Sequence, residues 1–152
     1  MNRFVSIFLA VIILVGCLPF ATYADTIDEV EVDRIVYEDG SYLVVTMDLQ
    51  RTRNSTKSEN TYYTYYDSNN VALWQIVLTG IFTYNYSSAS CDHAQVSVSI
   101  YDSDWYVVNK SSYTSENKAV ANVTMGHRYL GVTATTSSHR VTLTCAPDGT
   151  MS

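Results

Sequence analysis

Apolar and polar residues alternate with a period of two along most of this chain. The pattern is densest in Val71-Ala-Leu-Trp-Gln-Ile-Val-Leu-Thr-Gly-Ile-Phe-Thr-Tyr84. Ala72, Trp74, Ile76, Leu78, Phe82 and Tyr84 fall on one face, and Val71, Leu73, Val77 and Ile81 on the other. The segment therefore reads as a central β-strand covered on both sides. Gly80 interrupts the row, which marks a bulge or a close backbone approach.

The same reading places shorter strands on either side. Val30 to Tyr37 and Tyr42 to Leu49 flank Glu38-Asp39-Gly40-Ser41, a strong hairpin signal. Residues 51–60 break the pattern with polar side chains and read as a loop, and Thr61 to Tyr66 resumes as a strand paired with the central one. Asn85 to Ser90 is expected to be a loop, and Gln95 to Tyr101 alternates with Val96, Val98 and Ile100 inward. Asp102-Ser-Asp104 is a turn, Trp105 to Val108 a strand, Ser111 to Asn117 a polar loop. A further strand carries Ala119, Ala121 and Val123 and ends near Gly126. A last hairpin joins Tyr129 to Thr135 and Arg140 to Cys145 across Thr136-Ser-Ser-His139.

Thirteen tyrosines and abundant Thr, Val and Ser reinforce the β assignment, and no segment past the N-terminal run shows a helical period. The expected fold is all-β: an antiparallel β-sandwich of eight or nine strands, immunoglobulin-like in general architecture, with a small β-barrel as the alternative.

The N-terminus changes the picture of where the protein works. Arg3 precedes an apolar run, Phe4 to Leu18, too short for a membrane span, and Thr22-Tyr-Ala24 suits a signal peptidase. Residues 1–24 read as a signal peptide, with secretion expected and no membrane span in the mature chain. Leu14-Val-Gly-Cys17 offers an alternative, a lipoprotein anchored through Cys17. The expected organisation is then 25–50 as an acidic hairpin, 51–60 as a linker and 61–152 as the main sandwich.

Losing Arg3 takes the formal charge from −6 to −7, and the excess sits in Asp25, Asp28, Glu29, Glu31, Asp33, Glu38 and Asp39. The rest of the chain is nearly balanced and has no basic stripe, which excludes nucleic acid as a partner. The acidic start reads as a solvated leader and edge strand kept soluble by charge.

After signal removal two cysteines remain, Cys91 and Cys145, in a compartment that permits oxidation, and a disulfide between them is expected. Cys145 shares a face with Val141 and Leu143. Cys91 is out of phase with Val96 and Val98 and needs a bend or bulge at Asp92-His-Ala94. The bridge would close a loop of some fifty residues, worth about 4 kcal/mol.

Chemistry is sparse. His93, His127 and His139 have no second ligand at i+2 or i+4, so no metal site is expected, and no cofactor motif is present. Asp102-x-Asp104 lacks further oxygen ligands at calcium spacing. With no Gly-x-Ser-x-Gly and no cysteine in reactive flanks, the chain is not expected to be an enzyme; a hydrolase would reveal itself by His93 or His127 meeting a carboxylate in a concave pocket. Four sequons, at Asn54, Asn85, Asn109 and Asn122, carry weight only in a eukaryotic host.

The unusual feature is Tyr62-Tyr63-Thr64-Tyr65-Tyr66, which puts two tyrosines on each face of a strand. Exposed aromatic rows bind sugars or proteins because a ring offers apolar area with a polar rim. Tyr62, Tyr63, Tyr65 and Tyr66 are therefore the candidate ligand-binding residues, the exposed pair spaced about 7 Å, one strand repeat. Trp105 beside Tyr106 carries the same ambiguity between core and contact, and Trp74 is expected to be core. The expected function is a secreted non-catalytic binding module, its partner a cell-wall glycan or an extracellular protein. A secreted inhibitor presenting Arg51 and Arg53, or a toxin-like effector, is the alternative.

The layout also resembles a group of small exported proteins of Firmicutes of unknown function. The shared features are the acidic hairpin, the polar linker and the strand ending in Thr79-Gly-Ile-Phe-Thr-Tyr84. They continue through Cys91, Tyr101-Asp-Ser-Asp-Trp105 and Thr142-Leu-Thr-Cys145. The resemblance implies a Gram-positive, secreted origin and assigns no site residue.

Overall fold

A computed structural model describes residues 28–49 and 56–152. The expected signal segment with Cys17, the start of the acidic leader, and Arg51 and Arg53 lie outside the described residues.

The described chain holds eight strands: β1 (Asp28–Val36), β2 (Tyr42–Leu49), β3 (Thr56–Tyr66), β4 (Ala72–Tyr84), β5 (Ala89–Ile100), β6 (Trp105–Ser115), β7 (Lys118–Tyr129) and β8 (Val132–Thr144). They form two antiparallel sheets, β1-β2-β3-β4-β5 and β6-β7-β8. The second sheet lies across the first, β6 by β5, β7 on β4 and β5, β8 against β3 and β4. This is the sandwich that the alternating pattern predicts. Within each sheet the connectivity is a meander, each strand pairing with its neighbour in sequence, and the chain changes sheet between β5 and β6.

The core sits between the sheets. Trp74, Ile76, Leu78, Phe82 and Tyr84 of β4 meet Ala119, Ala121, Val123 and Met125 of β7 and Val141 and Leu143 of β8. The opposite face of β4, with Leu73, Gln75, Val77 and Ile81, is only half-buried, so the expected cover on both faces is absent. Among the described residues no element packs there, because the three-stranded sheet has one inner face to offer. β1 is the solvated edge that its charges suggest, with Glu29 to Val36 exposed and a bulge between Glu31 and Asp33 that twists the edge.

Several local expectations are corrected. Thr56 to Asn60, read as polar loop, belong to β3, pairing Thr56–Asn60 with Thr83–Thr79 of β4. Lys57 and Glu59 point inward as a buried ion pair, Nζ to Oε1 2.6 Å. Through β3 the acidic hairpin is continuous with the main sheet, since β2 pairs with it from Tyr42–Tyr66 to Met47–Thr61. Ser111 to Ser115 are likewise strand, because β6 is an edge whose polar residues pair with Asn122–Lys118.

The last hairpin turns elsewhere. β7 runs through Gly126 to Tyr129, the turn is Leu130-Gly131, and Thr136 to His139 lie inside β8. Both turn residues have positive φ, 52° at Leu130 and 78° at Gly131, the backbone of a tight two-residue hairpin. Gly126 is not a terminator. A Cβ there would meet the Tyr106 ring at 2.4 Å, so glycine makes room for the tyrosine. Gly80 plays the same part for Phe82, and pairs regularly with Glu59 and Ala94 without a bulge. The bulge needed to bring Cys91 into phase is present in β5: Ile81 pairs with His93 and Phe82 with Cys91, leaving Asp92 over.

Candidate binding surface

Strict alternation along β3 divides its four tyrosines. Tyr63 and Tyr65 point between the sheets, where both pack on the core. Tyr65 stacks on Trp74 with centroids 5.2 Å apart. Burial pushes the Tyr63 hydroxyl above its ordinary pKa. Tyr62 and Tyr66 lie on the outer face, half-buried. The outward pair is thus the one separated by four residues, roughly 13 Å along the strand, and not the pair one repeat apart.

Aromatic adjacency on the outer face runs across strands instead. Register places Tyr42 of β2 opposite Tyr66, and their rings stack at 4.9 Å, 14° from parallel. The Arg34 guanidinium of β1 lies 4.8 Å over Tyr42. It is held there by two hydrogen bonds, from Nε and Nη2 to the Glu31 carboxylate, both 2.9 Å. These bonds lower the Glu31 pKa below the usual carboxylate value. The Tyr42 hydroxyl donates to Asn70 Oδ1 at 2.8 Å. The result is a ladder, Glu31–Arg34–Tyr42–Tyr66, along a groove of about 540 Å³ that Glu29, Thr46 and Asn70 also line.

Further along the same face the side chains are fixed by one another. The Asp48 carboxylate accepts from the Tyr62 hydroxyl at 2.9 Å and from Asn60 Nδ2 at 3.1 Å, and Asn60 Oδ1 accepts from Thr79 at 2.7 Å. Gln75 Nε2 donates to Thr64 at 2.9 Å. Burial, then the Asp48 carboxylate, raises the Tyr62 pKa, so it stays a neutral donor. These hydrogen bonds hold the side chains of the face in place, and prearranged side chains lower the entropic cost of any recognition.

Tyr42, Arg34 and Asn70 were not among the residues that sequence reasoning singles out. The signal for Tyr42 is its position just after the Asp39-Gly40 turn, which sets it beside Tyr66 only once β2 and β3 are known to pair.

The cysteines are both buried and both free, so the expected bridge is not formed in this structure. Cys91 Sγ donates to the His93 carbonyl at 3.2 Å within β5, and Cys145 Sγ to the Ala146 carbonyl at 3.4 Å just beyond β8. Burial is the main cause that raises both thiols' pKa values. Of the histidines, His93 is exposed on β5, while His127 and His139 flank the aromatic end of the core. His127 lies in a cleft with Asp102, but its ring stacks on Trp105 at 4.7 Å. His139 Nε2 is 2.9 Å from Ser137 Oγ, and burial lowers its pKa. Among the described residues no group of three His, Cys, Asp or Glu is placed to hold a metal ion, and no helix is long and apolar enough to cross a membrane.

Comparison with family models, with curated proteins and with solved structures finds no match.

Proposed function

We propose that the protein is an exported, non-catalytic binding module that meets its ligand through the outer face of the five-stranded sheet. The observation that carries this reading is the Arg34–Tyr42–Tyr66 ladder, an aromatic row set beside carboxylates and an amide along one groove. Rings with polar rims recognise flat, hydroxylated or amphipathic surfaces, and a cell-wall glycan or a protein ridge fits that description. The side chains of the groove are engaged in holding one another, Arg34 on Glu31, the Thr46 hydroxyl on the Glu29 carboxylate and the Tyr42 hydroxyl on Asn70. Export follows from the N-terminal segment and its cleavage before Asp25. In the oxidising space beyond the membrane the two buried thiols close to a Cys91–Cys145 disulfide, giving up two electrons and two protons to a disulfide oxidant by exchange.

A glycan array probed with the purified protein tests the reading. Selective retention that is lost in Tyr62→Ala/Tyr66→Ala, with the melting temperature kept, is the expected result. Equal retention by the variant would assign binding to another surface.

A further inference from the structure

At the end of the sandwich where the β1–β2, β3–β4 and β5–β6 turns gather, Tyr65 is the centre of an aromatic corner. Tyr37 and Trp105 both meet it edge-on, at 5.9 and 5.4 Å and 70° and 65°, and Trp74 lies flat against it. These rings, with Thr135, Thr136, Ser137 and His139 of β8, bound a cavity of about 220 Å³. It adjoins a cleft of about 420 Å³ that shares Tyr65, Trp105 and Thr135.

The rim of that cleft is acidic. Asp39, Asp67 and Asp102, one from each of the three turns, line it, and neither cavity is lined by a lysine or an arginine. Each carboxylate is fixed by its own turn, Asp102 Oδ1 accepting from the Asp104 N–H at 2.9 Å. Asp39 Oδ1 accepts from the Ser41 backbone and hydroxyl, and Asp67 Oδ1 from Asn69 and Val71. These bonds keep both below the ordinary carboxylate pKa, hence charged at neutral pH. The Tyr65 hydroxyl donates to Ser41 Oγ at 2.9 Å, which ties the aromatic floor to the Asp39 rim.

A second feature is independent of the acids. Trp74 is 1% exposed, lines the inner cavity, and its indole N–H has no hydrogen-bond acceptor among the described residues. Buried indole N–H groups ordinarily find a partner, so this donor marks a place where an acceptor is wanted.

The geometry points to a ligand site for an amino alcohol, an ammonium group with a neighbouring hydroxyl, in this aromatic cleft. The ammonium lies against the faces of Trp105 and Tyr65 under the field of the three aspartates, and the hydroxyl oxygen takes the Trp74 N–H. The site is on the opposite side of β3 from the groove of the proposed function and does not depend on it. Two common molecules share the chemistry, a choline-type head and an amino sugar with its amine free.

The chain has two tryptophans, and both stand at this site, so its intrinsic fluorescence reports occupancy directly. The purified protein is titrated with choline, with glucosamine, and with their uncharged counterparts 3,3-dimethylbutan-1-ol and N-acetylglucosamine. A saturable change with choline or glucosamine is expected, identifying which source the cleft prefers, with the uncharged counterpart at least about tenfold weaker. Asp39→Asn/Asp102→Asn keeps an acceptor oxygen in each turn and should weaken the cation by a similar factor without lowering the melting temperature. Tyr62→Ala/Tyr66→Ala should leave the titration unchanged. Equal affinity for charged and uncharged ligands, no saturable change with any of the four, or undiminished binding by the aspartate variant would each overturn the assignment.

Discussion

Cys91 and Cys145 are fastened to adjacent carbonyls of one turn: the Cys91 N–H donates to Glu116 O at 2.7 Å and the Cys145 N–H to Asn117 O at 3.0 Å. Two strands that belong to different sheets are thereby drawn to the same point on the β6–β7 connection. The Asp92 bulge is what turns Cys91 into the core at this place.

The expected outcome for the exported protein is one disulfide-linked peptide pair in non-reducing peptide mapping. Cys145→Ser should then cost about 2–5 kcal/mol in denaturant unfolding. Recovery of two alkylatable thiols from the exported, unreduced protein would remove the bridge from this account.

The Lys57–Glu59 pair gives a second expectation. Both side chains are buried, so Lys57→Met leaves the Glu59 carboxylate in the interior without that cation, at a cost of about 3–5 kcal/mol. Lys57→Met/Glu59→Leu should regain most of the loss, because the desolvation of both charges disappears together. Urea midpoints of the three proteins decide it, and a double variant as unstable as the single one would show that the pair itself is needed.

At the β7–β8 turn, Leu130 holds φ at 52° while 89% exposed, a backbone conformation that asparagine adopts more readily. Leu130→Asn is expected to stabilise the protein by about 1 kcal/mol, read as a rise in melting temperature. A fall would mean that the leucine side chain contributes to the fold at this exposed tip.

His139 predicts a pH dependence. Burial lowers its pKa in the folded protein, so the unfolded chain takes up the proton first as pH falls. Its neutral form is therefore the one the fold requires, and stability should be complete above the unfolded value of about 6.5 and decline below it. His139→Gln should flatten the melting-temperature profile between pH 7 and pH 5 relative to the parent; an unchanged slope would place the effect in other groups.

How far the sequence spoke for itself differs by element. The alternation of β4 and the Asp39-Gly40 turn are local signals, and both elements form where they indicate. The out-of-phase position of Cys91 correctly required the bulge at Asp92. Lys57 to Asn60 and Ser111 to Ser115 were illegible as strands because ladder hydrogen bonds come from the backbone, and their side chains carry no apolar period to reveal it. Gly126 and Gly80 read as punctuation, whereas each serves an aromatic ring, Tyr106 or Phe82, whose approach only the fold defines. The two-faced tyrosine strand was visible from spacing alone. Its cross-strand neighbour Tyr42 was not, since that adjacency depends on β2 pairing with β3, Tyr42 opposite Tyr66, which the alternation of neither strand alone reveals.

The proposed ligand surface is the outer face of the five-stranded sheet. Its most direct measurement is retention of the purified protein on isolated Gram-positive cell wall, comparing the parent with Tyr62→Ala/Tyr66→Ala and with Tyr42→Ala. The parent is expected to sediment with the wall, and both variants to remain in solution with melting temperatures close to the parent's. Variants that sediment as fully as the parent would contradict it.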